Sequence, residues 1–242
     1  MAGWDNPDVD LLYDVNGLAQ GAPTWADQVM EYVGEYGTVL AVVLLGLCAW
    51  WSLRRRSPDR DTAAGALAGL VWAPLAAAVA LLVNIPIRNL VERPRPFVDH
   101  DGLEVLVGGK SDFSFVSDHA ALTMAVAVAI FMVSRTYGLL GIAVAVFAGF
   151  SRVYMGVHYP TDVIGGLALG TAVALLLAPL ALWLLTPLMQ AVAQSPRAGR
   201  LVWAGAEPSP GAAGGGAATA GRGPTARTTG PFGPQPDSDL AA

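Results

Sequence analysis

The chain has 242 residues, 54% hydrophobic and only 14% charged, where soluble domains carry about 25% charged residues. That balance excludes an ordinary water-soluble domain. The formal net charge of −5 leaves no global footprint for nucleic acid, and the class that remains is an integral membrane protein.

The first 53 residues hold no Lys or Arg but seven acids, Asp5, Asp8, Asp10, Asp14, Asp27, Glu31 and Glu35. They lack the basic start and small-residue cleavage site of a signal peptide, so the first apolar run is expected to be retained. Residues 24–36 set Trp25, Val29, Tyr32, Val33 and Tyr36 at helical spacing, with Asp27, Glu31 and Glu35 on another face. This pattern predicts a short amphipathic surface helix closing an acidic N-terminal segment, 1–36. Cys48, the one cysteine, lies in an apolar run and has no partner within the chain.

Apolar runs follow at 37–53, 63–87, 118–134, 138–155 and 162–188. A hydrocarbon core of about 30 Å takes around 20 helical residues. The runs therefore predict five spans, and six helices if the N-terminal helix packs with them. The expected fold class is all-α, a multi-pass membrane helix bundle of five to six helices over 37–190. Pro74, Pro86 and Pro179 predict kinks, which membrane helices tolerate. From Ser195 the composition turns to Gly, Ala, Pro, Ser and Thr, and 195–242 is expected to be a disordered cytoplasmic tail.

Arg54, Arg55 and Arg56 follow the first span directly and mark its cytoplasmic end. Alternation then sends 88–117 and 152–161 to the extracytoplasmic face. Those loops carry Arg88, Arg93, Arg95, Lys110 and Arg152, so cation counting alone is near a tie. The cation-free N-terminus breaks it, and the outer arginines are expected to hold a ligand.

Three clusters carry the chemistry: RNLVERPRP at 88–96, FVSDH at 115–119 and SRVYMGVHYPTD at 151–162. Ionisable groups abutting a span cost free energy unless paired, so their default reading is functional. A phosphate group asks for several fixed, bidentate cations, which suits Arg88, Arg95 and Arg152 better than lysines. Ser117 is expected to N-cap the span beginning at Asp118, whose free N–H groups form an anion site. Pro160 suits a first helical position, which makes Asp162 the third, able to reach back to His158. An Asp holding one imidazole nitrogen leaves the other free to attack phosphorus. His158 is thus the expected nucleophile, through a phosphohistidine, with Asp162 orienting it and His119 as acid and then base.

The pattern Arg88-x6-Arg95-Pro96, Ser117-x-His119 and Ser151-Arg152-x5-His158-x3-Asp162 resembles the three-part signature of the type 2 phosphatidic acid phosphatase (PAP2) superfamily. The resemblance covers about residues 9–185. It implies an antiparallel bundle of about six helices and activity without metal or other cofactor. It also implies catalytic His158, His119 and Asp162, with Arg88, Arg95, Ser117 and Arg152 on the phosphate. In the second motif Val116 and Asp118 replace the usual Pro and Gly. Ser-Asp-His there, with the N-terminal text LLYDVNGLAQGAPTWADQVMEYVGEYG, is similar to the bacitracin-resistance (BcrC-type) undecaprenyl-diphosphate phosphatases. Asp118 is grouped with the phosphate site, and three roles stay open to it: pairing with an arginine, holding a cation that bridges a diphosphate, or capping the helix. Arg93 is left to Glu92 or a lipid headgroup, because the position seven residues before it is Pro86.

The function expected is removal of the terminal phosphate of undecaprenyl or decaprenyl diphosphate at a bacterial plasma membrane, in cell-wall lipid-carrier recycling. Other lipid phosphates keep the same chemistry: phosphatidic acid, phosphatidylglycerol phosphate or a decaprenyl-phosphoryl sugar phosphate. An anion transporter and a metallohydrolase using His119, His158 and Asp162 are the readings from other classes. The partners expected are the lipid substrate and membrane lipids, with no nucleic acid, and the sequence leaves the oligomeric state open.

Overall fold

The computed structural model describes residues 6–204, and every regular element among them is helical. Helix α1 is Pro7–Gln20, α2 Thr24–Tyr32, α3 Thr38–Arg56, α4 Arg60–Val91 and α5 Pro96–Asp99. Then follow α6 Asp118–Val133, α7 Arg135–Tyr154, α8 Pro160–Leu176, α9 Ala178–Gln194 and α10 Gly199–Val202. The expected all-α membrane bundle is what forms.

Two boundaries differ from expectation. The surface helix expected over 24–36 is not separate: α2 runs through a π-helical turn, Val33–Gly37, straight into α3. The resulting helix, Thr24–Arg56, is 33 residues long. Nothing between Tyr36 and Thr38 removes a backbone donor, so the polarity change there marks no helix end. The tail is ordered further than expected, because 195–204 fold back through α10. Val202 is buried against Ala63, Ala64 and Ala193, and Trp203 Nε1 donates to the Ser57 carbonyl at 3.0 Å. Residues 205–242, the rest of the segment expected to be disordered, lie outside the described residues.

Thr24–Arg56, Arg60–Asp99 and Arg135–Tyr154 are each long and apolar enough to cross a membrane. Helices α8 and α9 reach that length together, bent by 52° where Pro179 opens the second of them. The proline expected to kink this run sits at its break. With 16 residues, α6 extends only about 24 Å, but it occupies the centre, and Ala120, Ala121 and all of Thr123–Ile130 are buried. Its neighbours α4, α7 and α8 shield it, while Leu44, Leu47, Leu82, Ile85, Leu139, Ile164 and Leu184 stand exposed on the outer helices. A lipid-facing belt of that kind is what a bilayer solvates.

Close backbone approach brings α8 onto α6. A Cβ on Gly166 would lie 2.6 Å from the Ser117 carbonyl oxygen, and one on Gly170 would lie 2.3 Å from that of Ala121. Small residues four apart permit such contact between membrane helices. The turns at 88–117 and 152–161 share one end of the bundle with the start of α3, where Glu35 meets Lys110 and Arg152. The opposite end gathers Arg54 and Arg200, linked through Arg54 Nε to the Arg200 carbonyl at 2.6 Å.

Gly170→Ala is expected to lower the thermal midpoint in detergent, at an overpacking cost of about 1–3 kcal/mol. Gly17→Ala, on α1 with nothing within 4 Å of its Cβ, is expected to hold or raise it. Differential scanning fluorimetry of both variants is the check, and equal midpoints contradict the close contact.

Candidate active site

The first cluster straddles the end of α4. The helix stops at Glu92, left-handed at φ 49°, and the chain leaves through Arg93, Pro94 and Arg95. Arg88 donates to Asp112 at 2.6 Å and pairs with Asp118 through its other terminal nitrogen. Arg95, 4% exposed, is held by Asp112 twice: Nε on the backbone carbonyl at 2.9 Å and Nη2 on Oδ1 at 2.7 Å. Its Nη1 donates to the Val157 carbonyl at 2.9 Å and lies 3.4 Å from Nε2 of His158. Burial pushes the Asp112 carboxyl up, but the hydrogen bond and charge of Arg95, with Arg88 behind, hold it below its ordinary range.

The second cluster opens α6. Ser117 is the N-cap, as expected, but its side chain makes no capping bond, and its buried Oγ has no hydrogen-bond partner in the structure. Its backbone N–H donates to the Asp162 carbonyl at 3.0 Å, which joins the second motif to the third. Of the roles open to Asp118, the one seen is a salt bridge to Arg88, supported by Asn84 Nδ2 at 2.7 Å. Asn84, fully buried in α4, also grips Val116 through its carbonyl and N–H. Nε2 of His119 lies 3.2 Å from the Glu35 carbonyl oxygen and 3.9 Å from the Glu35 carboxylate.

The third cluster joins α7 to α8. Gly156 takes φ +68° and a Cβ there would meet the Glu104 carbonyl at 2.8 Å, so only glycine lets the chain reverse and deliver His158. Helix α8 begins at Pro160, which puts Asp162 in its first turn, fully buried. One carboxylate oxygen accepts from the Tyr159 N–H at 2.9 Å and from the Ser114 hydroxyl, and lies 3.7 Å from Nδ1 of His158. That separation is electrostatic contact rather than a hydrogen bond, and Nδ1 is without a hydrogen-bond partner. Burial drives the His158 pKa below its ordinary value; Asp162 opposes the shift, while Arg95 and Arg152 add to it.

Arg152, 1% exposed, donates to Glu35 and to the Gly34 carbonyl, both at 2.5 Å. Glu35 also accepts from Lys110 at 3.2 Å. Arg93, left by the sequence to Glu92 or a lipid headgroup, instead reaches Asp162 at 2.8 Å and Asp8 at 2.6 Å, and its guanidinium lies 3.6 Å over the Tyr159 ring. His100 packs edge-on between Tyr13 and Tyr159.

The residues named from sequence thus share one end of the bundle, together with others that sequence reasoning missed: Asp8, Glu35, Asn84, Asp112 and Ser114. A lone amide in an apolar run was a readable signal for Asn84. The acids carried none, since they read as solvated charge. Among the described residues, no three His, Cys, Asp or Glu side chains are grouped to hold a metal ion.

Comparison with known proteins follows the same outline. A family model described as the PAP2 superfamily matches residues 69–185. The chain is 32% identical over 168 residues to the putative undecaprenyl-diphosphatase YbjG of Escherichia coli (strain K12), covering 69% of this chain and 78% of that protein. To the undecaprenyl-diphosphatase BcrC of Bacillus subtilis (strain 168) it is 29% identical over 150 residues, 62% of this chain and 72% of that protein. The crystal structure of Aquifex aeolicus LpxE superposes with a TM-score of 0.52 at 17% identity, covering 74% of this chain and 99% of that one, a likeness of fold alone.

Two outcomes follow from this geometry. Glu35→Leu strips the buried Arg152 of its counter-charge and is expected to cost about 3–5 kcal/mol, read as a lower thermal midpoint. Glu35→Leu/Arg152→Met is expected to recover most of it. The chain has three histidines, so 15N-imidazole NMR with single substitutions assigns His158. Its midpoint is expected below about pH 6.5, the ring remaining neutral until the solution is more acidic than that; a midpoint above 7 contradicts the burial.

Proposed function

The chain belongs to the PAP2 superfamily, and from that premise we propose that it is a membrane phosphatase removing the terminal phosphate of a polyprenyl diphosphate, undecaprenyl or decaprenyl. The observation that carries the chemistry is the setting of His158. Its Nε2 faces Arg95 at 3.4 Å, its Nδ1 faces the buried Asp162, and Arg88, Arg152 and the unpartnered Ser117 hydroxyl surround the same bundle end. The diphosphate substrate is supported by the relatives named undecaprenyl-diphosphatases.

The steps follow from the side chains. The guanidinium groups of Arg88, Arg95 and Arg152 take the nonbridging oxygens of the terminal phosphate, whose charge spreads further as the bond to the bridging oxygen lengthens. Preformed donors there are worth more than donors recruited from water. The Nε2 lone pair, on a ring kept neutral by burial, attacks phosphorus while the P–O bond to the lipid phosphate breaks. Asp162 stabilises the positive charge that develops on the ring. His119 gives its proton to the leaving oxygen, then accepts one from the water that cleaves the P–N bond, releasing phosphate and restoring both rings. Acid–base help of this kind contributes about 10²–10⁴ in rate.

Phosphate must displace the Asp112 carboxylate from Arg88 and Arg95. Asp112 sits on the irregular stretch between α5 and α6, and its side chain is 44% exposed, so the exchange disturbs no helix. The reading sets the site on the extracytoplasmic face of a bacterial plasma membrane, supported by Arg54–Arg56 at the opposite end of α3, where a basic cluster stays cytoplasmic. The product re-enters lipid-carrier recycling.

The test is phosphate release from a panel of lipids with chelator present. Polyprenyl diphosphate is expected to turn over fastest and His158→Ala to abolish turnover while remaining in the membrane. Equal or faster turnover of phosphatidic acid, phosphatidylglycerol phosphate or a decaprenyl-phosphoryl sugar phosphate overturns the diphosphate substrate. Undiminished release by the His158 variant overturns the nucleophile.

A further inference from the structure

Asp162 divides its two carboxylate oxygens between different tasks. Oδ2 meets the Tyr159 N–H, the Ser114 hydroxyl and, at 3.7 Å, His158 Nδ1. Oδ1 is taken by Nη1 of Arg93 at 2.8 Å. A carboxylate with no solvent exposure needs a counter-charge, and an imidazole kept neutral does not supply one. Arg93 is the cation in direct contact.

Arg93 is itself fixed on several sides. Nη2 donates to Asp8 Oδ2 at 2.6 Å, Nη1 donates also to the Thr161 hydroxyl at 2.7 Å, and the Tyr159 ring lies beneath at 3.6 Å. Asp8 closes the loop: its two oxygens accept from the Thr161 N–H at 2.9 Å and the Thr161 hydroxyl at 2.6 Å. Thr161 is the residue before Asp162, so α1 clamps the first turn of α8 and the arginine together. Arg93 and Arg95, two residues apart, serve opposite nitrogens of one imidazole: Arg95 lies beside Nε2, and Arg93 lies behind Nδ1 by way of Asp162.

We propose that Arg93 is a positioning residue for phosphoryl transfer, holding the Asp162 carboxylate in register with His158, and that Asp8 on α1 holds Arg93 in turn. The N-terminal helix is then part of the active-site scaffold. This rests on the reading of His158 as nucleophile.

Steady-state and rapid-quench kinetics of the full chain in detergent, with polyprenyl diphosphate labelled in its terminal phosphate, test it. Arg93→Ala is expected to lower kcat about 10–100-fold, the range that outer partners of a catalytic group command, with KM within about threefold. Arg93→Lys is expected to recover part of the loss. Asp8→Asn is expected to lower kcat in the same direction by less, and to add nothing when combined with Arg93→Ala. If Arg93→Ala fails to fold, Arg93→Lys and Asp8→Asn decide between the outcomes by the same split. A raised KM with kcat held would make Arg93 a phosphate ligand and overturn the proposal, as would losses that multiply in the double variant. A wild-type enzyme that forms no acid-labile phosphohistidine overturns the parent reading. A wild-type enzyme that forms it, beside an Arg93 variant forming it equally fast, overturns this proposal alone.

Discussion

Charge at the rim of an apolar bundle has to be neutralised within hydrogen-bonding distance, and that constraint organises the molecule. Arg95, Arg152 and Asp162 are buried, and each is paired: Arg95 with Asp112, Arg152 with Glu35, Asp162 with Arg93. Two of these pairs join segments far apart in the chain, Arg93–Asp162 over 69 residues and Glu35–Arg152 over 117. Asp8 and Arg93 bind α1 to the end of α4; Glu35 binds the first long helix to α7 and to the 100–117 stretch. The polar layer therefore does for one end of the bundle what side-chain interdigitation does elsewhere, and its geometry is as determined as a core.

Beneath that layer, glycine decides where the charges can meet. Gly166 and Gly170 let α8 settle against the backbone of α6, which brings the Ser117 N–H onto the Asp162 carbonyl. A methyl group between these helices would force them apart, against the hydrogen bond that joins the second motif to the third. Gly156 performs the corresponding service for His158, turning the chain out of α7 in a conformation that other residues resist. Helix packing and site geometry are thus one problem in this protein.

What the sequence made legible was local. The apolar runs announced the spans, because a 20-residue period of hydrophobicity survives any tertiary context, and His158-x3-Asp162 could be read because both residues belong to one turn and the helix it starts. The pairs that complete the site were not legible in this way. Glu35 and Arg152 are 117 residues apart, and Asp8 and Arg93 are 85 apart; no pattern in either segment points to the other. The boundary at residue 36 was misread for a related reason: the polarity changes there, but a helix ends only where backbone bonding ends, and a π-helical turn carries it through. The amide of Asn84 lies between these cases, visible as an oddity in an apolar run though not as the anchor of Val116 and Asp118.

Asp112 has a bearing on traffic through the pocket. Its carboxylate already satisfies two guanidinium groups, so in the phosphatase we propose an arriving dianion would substitute for a resident monoanion, and its departure would be met by the resident's return. The arginines would be spared the desolvated, unbalanced state that would make an emptied pocket cling to inorganic phosphate. Turnover in such a pocket would be a swap between tethered and free anions, with the tether keeping the off-step shallow.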